Sequence, residues 1–165
     1  MKLFVLGTGL LRRGDSVLLV RGQYENEPHP LWALPGGGQE AGETLAATVR
    51  REFREETSLE IDVADVAYVS ESIDVNRDLH VINCTFWTRE ADASVQPRPV
   101  DPKIVEARFV PIAQAPELLE ADVISIPVVA ALRGEIQRPH YFSFHDNDII
   151  VPFFGRHAAE GLKTS

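Results

Sequence analysis

LPGGGQEAGETLAATVRREFREETSLEI, residues 34–61, is the stretch that decides the fold, because a run of three glycines leads directly into a strongly charged helix. Leu45, Val49 and Phe53 recur every four residues, a period that predicts an amphipathic helix from about Glu43 to Thr57. An acidic residue near the start of a helix suits the helix dipole. The stretch therefore predicts one helix that packs its apolar stripe against a core.

The same helix places three carboxylates on one face. Glu52, Glu55 and Glu56 stand at positions i, i+3 and i+4, so their side chains are neighbours that repel one another by a few tenths of a kcal/mol per pair. Such a trio is explained by a solvated surface with ion pairs to Arg51 and Arg54, or by a hard divalent cation, which prefers carboxylate oxygens. The helix alone leaves these explanations open.

The spacing around these carboxylates separates the two explanations. Gly37 is followed after five residues by Glu43 and after seven more by Arg51 and Glu52, and an apolar residue, any residue and a pair of glutamates follow. A chance match of six such positions has a probability on the order of 10⁻⁷. The matching residues are Gly37, Glu43, Arg51, Glu52, Glu55 and Glu56.

This spacing resembles the signature of the Nudix hydrolases. The family's Trp-x-Leu-Pro-Gly-Gly lead-in is also present, at residues 32–37. Ser58 departs from the pattern, because the family has glycine there, where the helix ends and a left-handed residue suits glycine. The resemblance is specific over residues 32–59 and looser over residues 3–112. It implies a mixed β-sheet sandwiched between helices, with a Nudix domain at residues 1–137 and a C-terminal extension at 138–165.

The resemblance also implies a chemistry, the hydrolysis of a nucleoside diphosphate derivative with Mg²⁺ or Mn²⁺. Glu52, Glu55 and Glu56 would bind the metal, and Glu55 or Glu56 would take a proton from water. Arg51 would orient a glutamate, and Glu43 would close the motif near the helix start. The backbone of Gly36, Gly37 and Gly38 would approach metal and phosphate closely. The alternative is that these glycines form only a flexible loop. Many family members add an acid from outside the motif. The candidates are Asp101, Glu106, Asp78 and Glu71, among which we favour Glu106 at the start of a predicted strand, the alternative being an ordinary surface acid.

The substrate is less constrained by the sequence. Residues 74–78, where some subfamilies carry a proline or tyrosine marker, contain neither, so a nucleoside triphosphate or a nucleotide sugar is our expectation. The main alternative is a catalytically silent Nudix-fold domain that binds a nucleotide as a sensor or interaction module. Retention of every motif glutamate favours the enzyme. A structural metal-binding protein is a third reading, but it leaves the glycines unexplained.

Composition adds several exclusions. The chain has 165 residues and a net charge of -9, which argues against binding a nucleic acid polymer. A single cysteine, Cys84, excludes an intrachain disulfide, and no apolar run approaches the ~18 residues that span a membrane. We expect a cytoplasmic protein. Family members are often dimers, and the tail is rich in aromatic residues, so a homodimer is predicted.

The remaining elements follow from local patterns. Residues 2–11 and 16–22 predict two strands around a turn, 23–38 a loop, and 60–75, 79–90 and 104–112 further strands. A helical region at 115–135 is expected to be interrupted by Pro127 and to end near Gly134. The tail, residues 139–157, predicts a β-hairpin that turns at 146–148. The outline is one mixed α/β domain.

Overall fold

A twelve-residue strand at the start of the chain organises the fold. The computed structural model describes residues 1–23 and 27–145, and in these ranges the chain forms eight strands and three helices. The elements are β1 (Lys2–Arg13), β2 (Ser16–Gly22), β3 (Leu31–Ala33), β4 (Gly36–Gly38), α1 (Leu45–Thr57), β5 (Ile61–Asp74), β6 (Leu79–Glu90), β7 (Ile104–Pro111), α2 (Ala115–Leu118), α3 (Asp122–Leu132) and β8 (His140–His145).

Strand β1 takes part in both halves of a mixed sheet. Along most of its length it runs parallel to β6, and β4 pairs antiparallel on its other edge. Its last residues pair with β2, which in turn pairs antiparallel with β3 and β7. Strand β5 pairs antiparallel with β6 and parallel with β8. The predicted mixed sheet is confirmed.

Helices cover both faces of this sheet because neighbouring residues of a strand point in opposite directions. Leu11 of β1 packs in a buried cluster with Val49 and Phe53 of α1. Leu10, one position earlier, packs in a different cluster with Val128 of α3. The two helices therefore lie on opposite sides of β1, which confirms the predicted sandwich.

Helix α1 carries its predicted apolar stripe against the sheet. Val49 and Phe53 have no exposed surface, and Thr44 caps the first turn by accepting a hydrogen bond from the Ala47 amide at 3.2 Å. The helix begins at Leu45, slightly later than the predicted start at Glu43. The helix can approach β1 closely because Gly9 has no side chain. A Cβ at Gly9 would lie 2.5 Å from the Phe53 ring.

The prediction of one loop across residues 23–38 is wrong, because two short strands form there. Strand β3 pairs with β2, and the three glycines form β4 beside β1. Close packing requires two of these glycines, and the φ of Gly36 is in addition one that residues with a Cβ rarely adopt. A Cβ at Gly36, whose φ is +152°, would lie 2.4 Å from the carbonyl oxygen of Gly7, and a Cβ at Gly37 would lie 2.4 Å from Oε1 of Glu52.

The predicted interruption at Pro127 is also wrong. Pro127 lies inside α3 and is buried, so its missing N–H removes one backbone hydrogen bond without ending the helix. The break falls earlier, where Leu119 and Ala121 adopt extended conformations between α2 and α3. The predicted end near Gly134 is correct, since that glycine has φ +72° directly after the helix.

The tail begins with a strand that joins the main sheet. Strand β8 adds to the edge of β5, with Val69 opposite Tyr141. The turn of the predicted hairpin, at 146–148, lies outside the described residues, and the division of the chain at 137/138 stays a prediction. None of the described helices is both long and apolar enough to cross a membrane.

Candidate functional site

Arg51 is the centre of a network that ties α1 to the preceding segment. Its Nε and Nη2 donate to the two carboxylate oxygens of Glu43 at 2.8 and 3.1 Å, and its Nη1 donates to Oε1 of Glu52 at 2.7 Å. Nη2 also donates to the carbonyl of Gly38 at 2.9 Å. The hydrogen bonds from Arg51, and to a smaller extent those from the Glu40 amide and the Thr48 hydroxyl, lower the pKa of Glu43 to about 2. Glu43 is thus fixed as a carboxylate that holds Arg51.

Glu52 and Glu56 lie on the buried side of this network. They are only 8% and 5% exposed, and Oε2 of Glu56 accepts a hydrogen bond from the Gly36 amide at 2.9 Å. Burial raises the pKa of Glu56 well above its ordinary value, and the charge of Glu52 raises it further. Burial also raises the pKa of Glu52, although Arg51 opposes this effect. Both carboxylates therefore lack enough nearby positive charge.

Glu55 occupies the open side of the same helical face. Its side chain is 40% exposed, and its Oε2 lies 3.5 Å from Nη1 of Arg51, an outer ion-pair distance. The helix thus presents one solvent-facing carboxylate beside two buried ones. All the predicted motif residues are brought together, with Gly36, Gly37 and Gly38 lining the buried side through the strand β4.

A segment distant in sequence adds a fourth carboxylate. The amides of Val100 and Asp101 donate to the carbonyl oxygen of Glu55 at 3.0 and 2.8 Å, which lays residues 98–101 along the last turn of α1. The charge of Asp101 is among the influences that raise the pKa of Glu52 and Glu56. The sequence named Asp101 only as one of four candidates. No local pattern could have singled it out, because its position depends on a long-range contact.

The other three candidates for an additional acid have partners elsewhere. Glu106 pairs with Nε of Arg108 at 2.7 Å and with Nη2 of Arg21 at 3.4 Å. Glu71 binds Nε2 of His80 at 2.5 Å and accepts a hydrogen bond from the Tyr141 hydroxyl. Asp78 lies in the turn between β5 and β6. The structure thus brings Asp101 to α1 and holds the favoured Glu106 in ion pairs on β7.

The donor set can be tested against the divalent cation that the motif implies. Among residues 1–23 and 27–145, no three acidic, histidine or cysteine side chains converge closely enough to form a ready-made metal site. The chemistry of the donors nevertheless fits a hard cation. Of the four acids near this end of α1, Arg51 pairs with Glu52 and lies 3.5 Å from Glu55, and the same guanidinium also neutralises Glu43. Mg²⁺ needs only one or two protein carboxylates, and water and substrate phosphate complete its shell.

Several known proteins are similar to this chain. The model of the NUDIX domain family matches residues 4–132. A protein of Methanocaldococcus jannaschii named ADP-ribose pyrophosphatase is 37% identical over 79 residues, which are 47% of this chain and 46% of that protein. The match thus spans less than half of that relative's length.

Solved structures share the fold. A NUDIX hydrolase from Nitrosomonas europaea has a TM-score of 0.70 at 17% identity, covering 89% of this chain and 80% of that one. An ADP-ribose pyrophosphatase from Streptococcus suis has a TM-score of 0.61 at 17% identity, covering 87% of this chain and 98% of that one. At such identities the likeness concerns the fold alone.

Proposed function

This chain belongs to the NUDIX family, and from that premise we propose that it is a pyrophosphohydrolase, in which water attacks phosphorus and cleaves the diphosphate linkage of a small nucleoside diphosphate derivative. The observation that carries the proposal is the excess of carboxylate on one face of α1. Glu52 and Glu56 are buried with raised pKa values, and Arg51 is shared with Glu43. Buried carboxylates of this kind are stabilised by taking up a proton or by binding a cation, and a bound divalent cation is the state that we propose.

Mg²⁺ or Mn²⁺ would be held by Glu52, Glu55 and Glu56, and when bound it draws charge from phosphoryl oxygens and acidifies water. The chain's own contacts prepare these ligands. The Gly36 amide occupies Oε2 of Glu56 and leaves Oε1 available. Arg51 occupies Oε1 of Glu52 and leaves Oε2 available. Each buried glutamate is thus fixed by one oxygen and can bind through the other.

The proton of the attacking water needs an acceptor that solvent can reach. Glu55 is the most exposed of the three glutamates and therefore exchanges protons with solvent most readily. Asp101 is a second candidate, because its backbone is bound to the carbonyl of Glu55 at 2.8 Å. We propose Asp101 as the additional acid of the site. The earlier prediction for Glu106 remains open to the same test.

For the substrate we propose a nucleoside diphosphate sugar, with ADP-ribose as the first compound to examine. The support is the relative from M. jannaschii named ADP-ribose pyrophosphatase, which matches 47% of this chain at 37% identity. A nucleoside triphosphate is the second choice. In both cases the reaction breaks the P–O–P bridge, and the water oxygen becomes part of one of the two phosphate products.

A nucleotide-binding domain without hydrolytic activity is the competing function. One observation favours it, namely that no three acidic, histidine or cysteine side chains converge into a ready-made metal site among residues 1–23 and 27–145. In this reading the site on α1 would bind a diphosphate compound and release it unchanged. Both functions predict that the diphosphate compound binds, so only an analysis of the products distinguishes them.

Product analysis with and without metal tests the proposal. The protein is incubated with ADP-ribose, a UDP-sugar and nucleoside triphosphates, in Mg²⁺, Mn²⁺ or EDTA, and products are separated by ion-exchange chromatography. We expect AMP and ribose 5-phosphate from ADP-ribose, only with metal. Tight binding of one compound without any cleavage would support the silent domain instead. Reaction in ¹⁸O-labelled water then identifies the phosphorus that is attacked.

The predicted homodimer is a separate proposal about the assembly. It is supported by large apolar side chains that are exposed, among them Leu3 and Tyr141 at 56% and 55% exposure. Light scattering on the purified protein measures the mass directly. We expect twice the chain mass of 18.3 kDa, and a monomer across the micromolar range would exclude the dimer.

A further inference from the structure

Ser58 occupies the one motif position where this chain departs from glycine. Its φ and ψ of 60° and 11° are left-handed, a conformation that disfavours every residue with a Cβ. Serine has a hydroxyl that glycine lacks, and this Oγ donates to the carbonyl oxygen of Arg98 at 2.6 Å. The departure therefore weakens the helix end locally but adds a contact with a segment 40 residues away.

That contact belongs to a clamp between the end of α1 and residues 98–101. The amide of Arg98 donates to the carbonyl of Thr57 at 2.8 Å, while its own carbonyl accepts from Ser58. The two bonds run in opposite directions and fix one residue of the segment against two successive residues of the helix end. Orientation as well as distance is therefore restrained at Arg98.

The clamp at Arg98 lies three residues before Asp101 in the sequence. Val100 and Asp101 donate to the carbonyl of Glu55 at 3.0 and 2.8 Å. On the far side, Oδ1 of Asp101 accepts from the Lys103 amide at 2.9 Å, which leaves Oδ2 for other partners. Asp101 is thus held from both sides. On the side of the helix, Ser58 contributes a hydrogen bond from its side chain, whereas the bonds of Arg98, Val100 and Asp101 to the helix join backbone atoms.

We propose that Ser58 is a positioning residue, whose hydroxyl holds residues 98–101 against the last turn of α1 so that the carboxylate of Asp101 faces Glu52 and Glu56. The inference rests on the proposed function, in which these acids form the reactive site. If residue 58 only shaped the helix end, glycine would be the better residue there, because glycine forms this left-handed end with less strain.

The decisive comparison uses Ser58→Gly, Ser58→Asn and Asp101→Asn, alone and combined. Glycine relaxes the helix end and removes the donor, whereas asparagine tolerates the left-handed conformation and keeps an N–H donor. Ser94→Ala is the matched control, because the hydroxyl of Ser94 donates to Asp92, two residues away in the same loop, at 2.7 Å and not to α1. Three quantities are measured on the full chain: amide hydrogen exchange by NMR, Mn²⁺ affinity by calorimetry, and kcat with KM on the best substrate.

We expect Ser58→Gly to keep or raise Tm while the amides of Val100 and Asp101 exchange about fivefold faster, the value of one ordinary hydrogen bond. Mn²⁺ affinity and kcat should each fall about fivefold, with KM within twofold of wild type. Ser58→Asn should restore all three, and Ser94→Ala should match wild type. In the Asp101→Asn background, Ser58→Gly should have no further effect on Mn²⁺ affinity or kcat, because the two residues act through one carboxylate.

Unchanged exchange at residues 98–101, or an undiminished effect of Ser58→Gly in the Asp101→Asn background, overturns the positioning role. A wild-type protein that binds Mn²⁺ but cleaves nothing removes the proposed hydrolase, and in that case exchange and Mn²⁺ affinity still decide the role of Ser58. A wild-type protein that neither binds Mn²⁺ nor cleaves any compound overturns both.

Discussion

Two arginine–glutamate clusters in this molecule have opposite imbalances of charge. On α1 a single arginine, Arg51, pairs with Glu43 and Glu52 and lies 3.5 Å from Glu55. On β7 a single glutamate, Glu106, pairs with two arginines at 2.7 and 3.4 Å. One cluster has an excess of acid and the other an excess of base, so the same residue types serve different ends.

Their surroundings differ in the same sense. The side chains of Arg21 and Arg108 are 39% and 46% exposed, and both guanidinium groups also lie over the Trp32 ring, 5.5 and 5.0 Å from its centre. Water and the indole thus accommodate the excess positive charge. Arg51 is 18% exposed, and Glu52 and Glu56 are buried, so the negative charge of these two glutamates on α1 has no such outlet. An imbalance between acidic and basic side chains therefore indicates a functional site where the side chains are shielded from solvent.

Removing one buried charge from α1 should have the largest effect. Glu56→Gln keeps the size of the side chain and removes a proposed metal ligand, so we expect kcat to fall about 10³-fold in a steady-state assay. Glu60→Gln is the control, because Glu60 lies at the same end of α1 but pairs with Arg54 on the surface. Activity of Glu56→Gln within twofold of wild type would remove Glu56 from the mechanism.

The same substitution should change stability in the opposite direction when metal is absent. Burial places the pKa of Glu56 in the folded protein well above the ordinary value near 4.3. This carboxyl thus contributes stability that is fully present below about pH 4.3 and is lost as pH rises through the raised pKa. In urea with EDTA, wild type should lose stability toward pH 8, and Glu56→Gln should lose less. Parallel pH profiles of the two proteins would contradict the uncompensated charge.

Loss of Arg51 should destabilise the cluster on α1 by about 3 kcal/mol, because Glu43 and Glu52 would remain partly buried without a partner. Arg51→Lys should recover only part of this, since an ammonium cannot form the two parallel bonds to Glu43. Urea denaturation of Arg51→Ala and Arg51→Lys at pH 7 measures both. Arg54→Ala, which breaks an exposed pair on the same helix, should cost less than about 1 kcal/mol.

The smallest difference is expected between Asp101 and Glu106, and it is the sharpest test of the comparison. Asp101→Asn should lower kcat about tenfold, because it removes a carboxylate next to the cluster on α1. Glu106→Gln should lower kcat less than twofold and affect mainly the exposed ion pairs with Arg21 and Arg108. If Glu106→Gln is the more damaging variant, the original preference for Glu106 as the additional acid is restored.

The local part of this structure could be predicted from the sequence. The period of Leu45, Val49 and Phe53 determines which face of α1 is buried, because that relation depends only on helix geometry. The left-handed end at Ser58 also follows from the motif, which has glycine at that position. The strands of residues 61–74 and 79–90 carry their own β-branched and aromatic pattern.

The features that could not be predicted depend on contacts between distant segments. Three consecutive glycines have no strand propensity of their own, and β4 exists because β1 supplies its partners. Pro127 continues a helix because its burial compensates for a missing hydrogen bond. Asp101 and Glu106 look alike in sequence, and only the contact of residues 98–101 with α1 distinguishes them.

The central position of β1 has a consequence for how the chain is made. Its partner β6 lies 77 residues further along, as in the pair Phe4 and Val81, so this pairing is absent until β6 has been synthesised. At about 5–20 residues per second, a ribosome needs roughly 4–15 s to cover that distance. Until then the aliphatic run of residues 3–11 has only the short strand β4 as a ladder partner, at residues 6–8. We therefore expect β1 to be the part of the nascent chain that is most prone to aggregation and most dependent on chaperones. A partner strand that is synthesised earlier would reduce both effects.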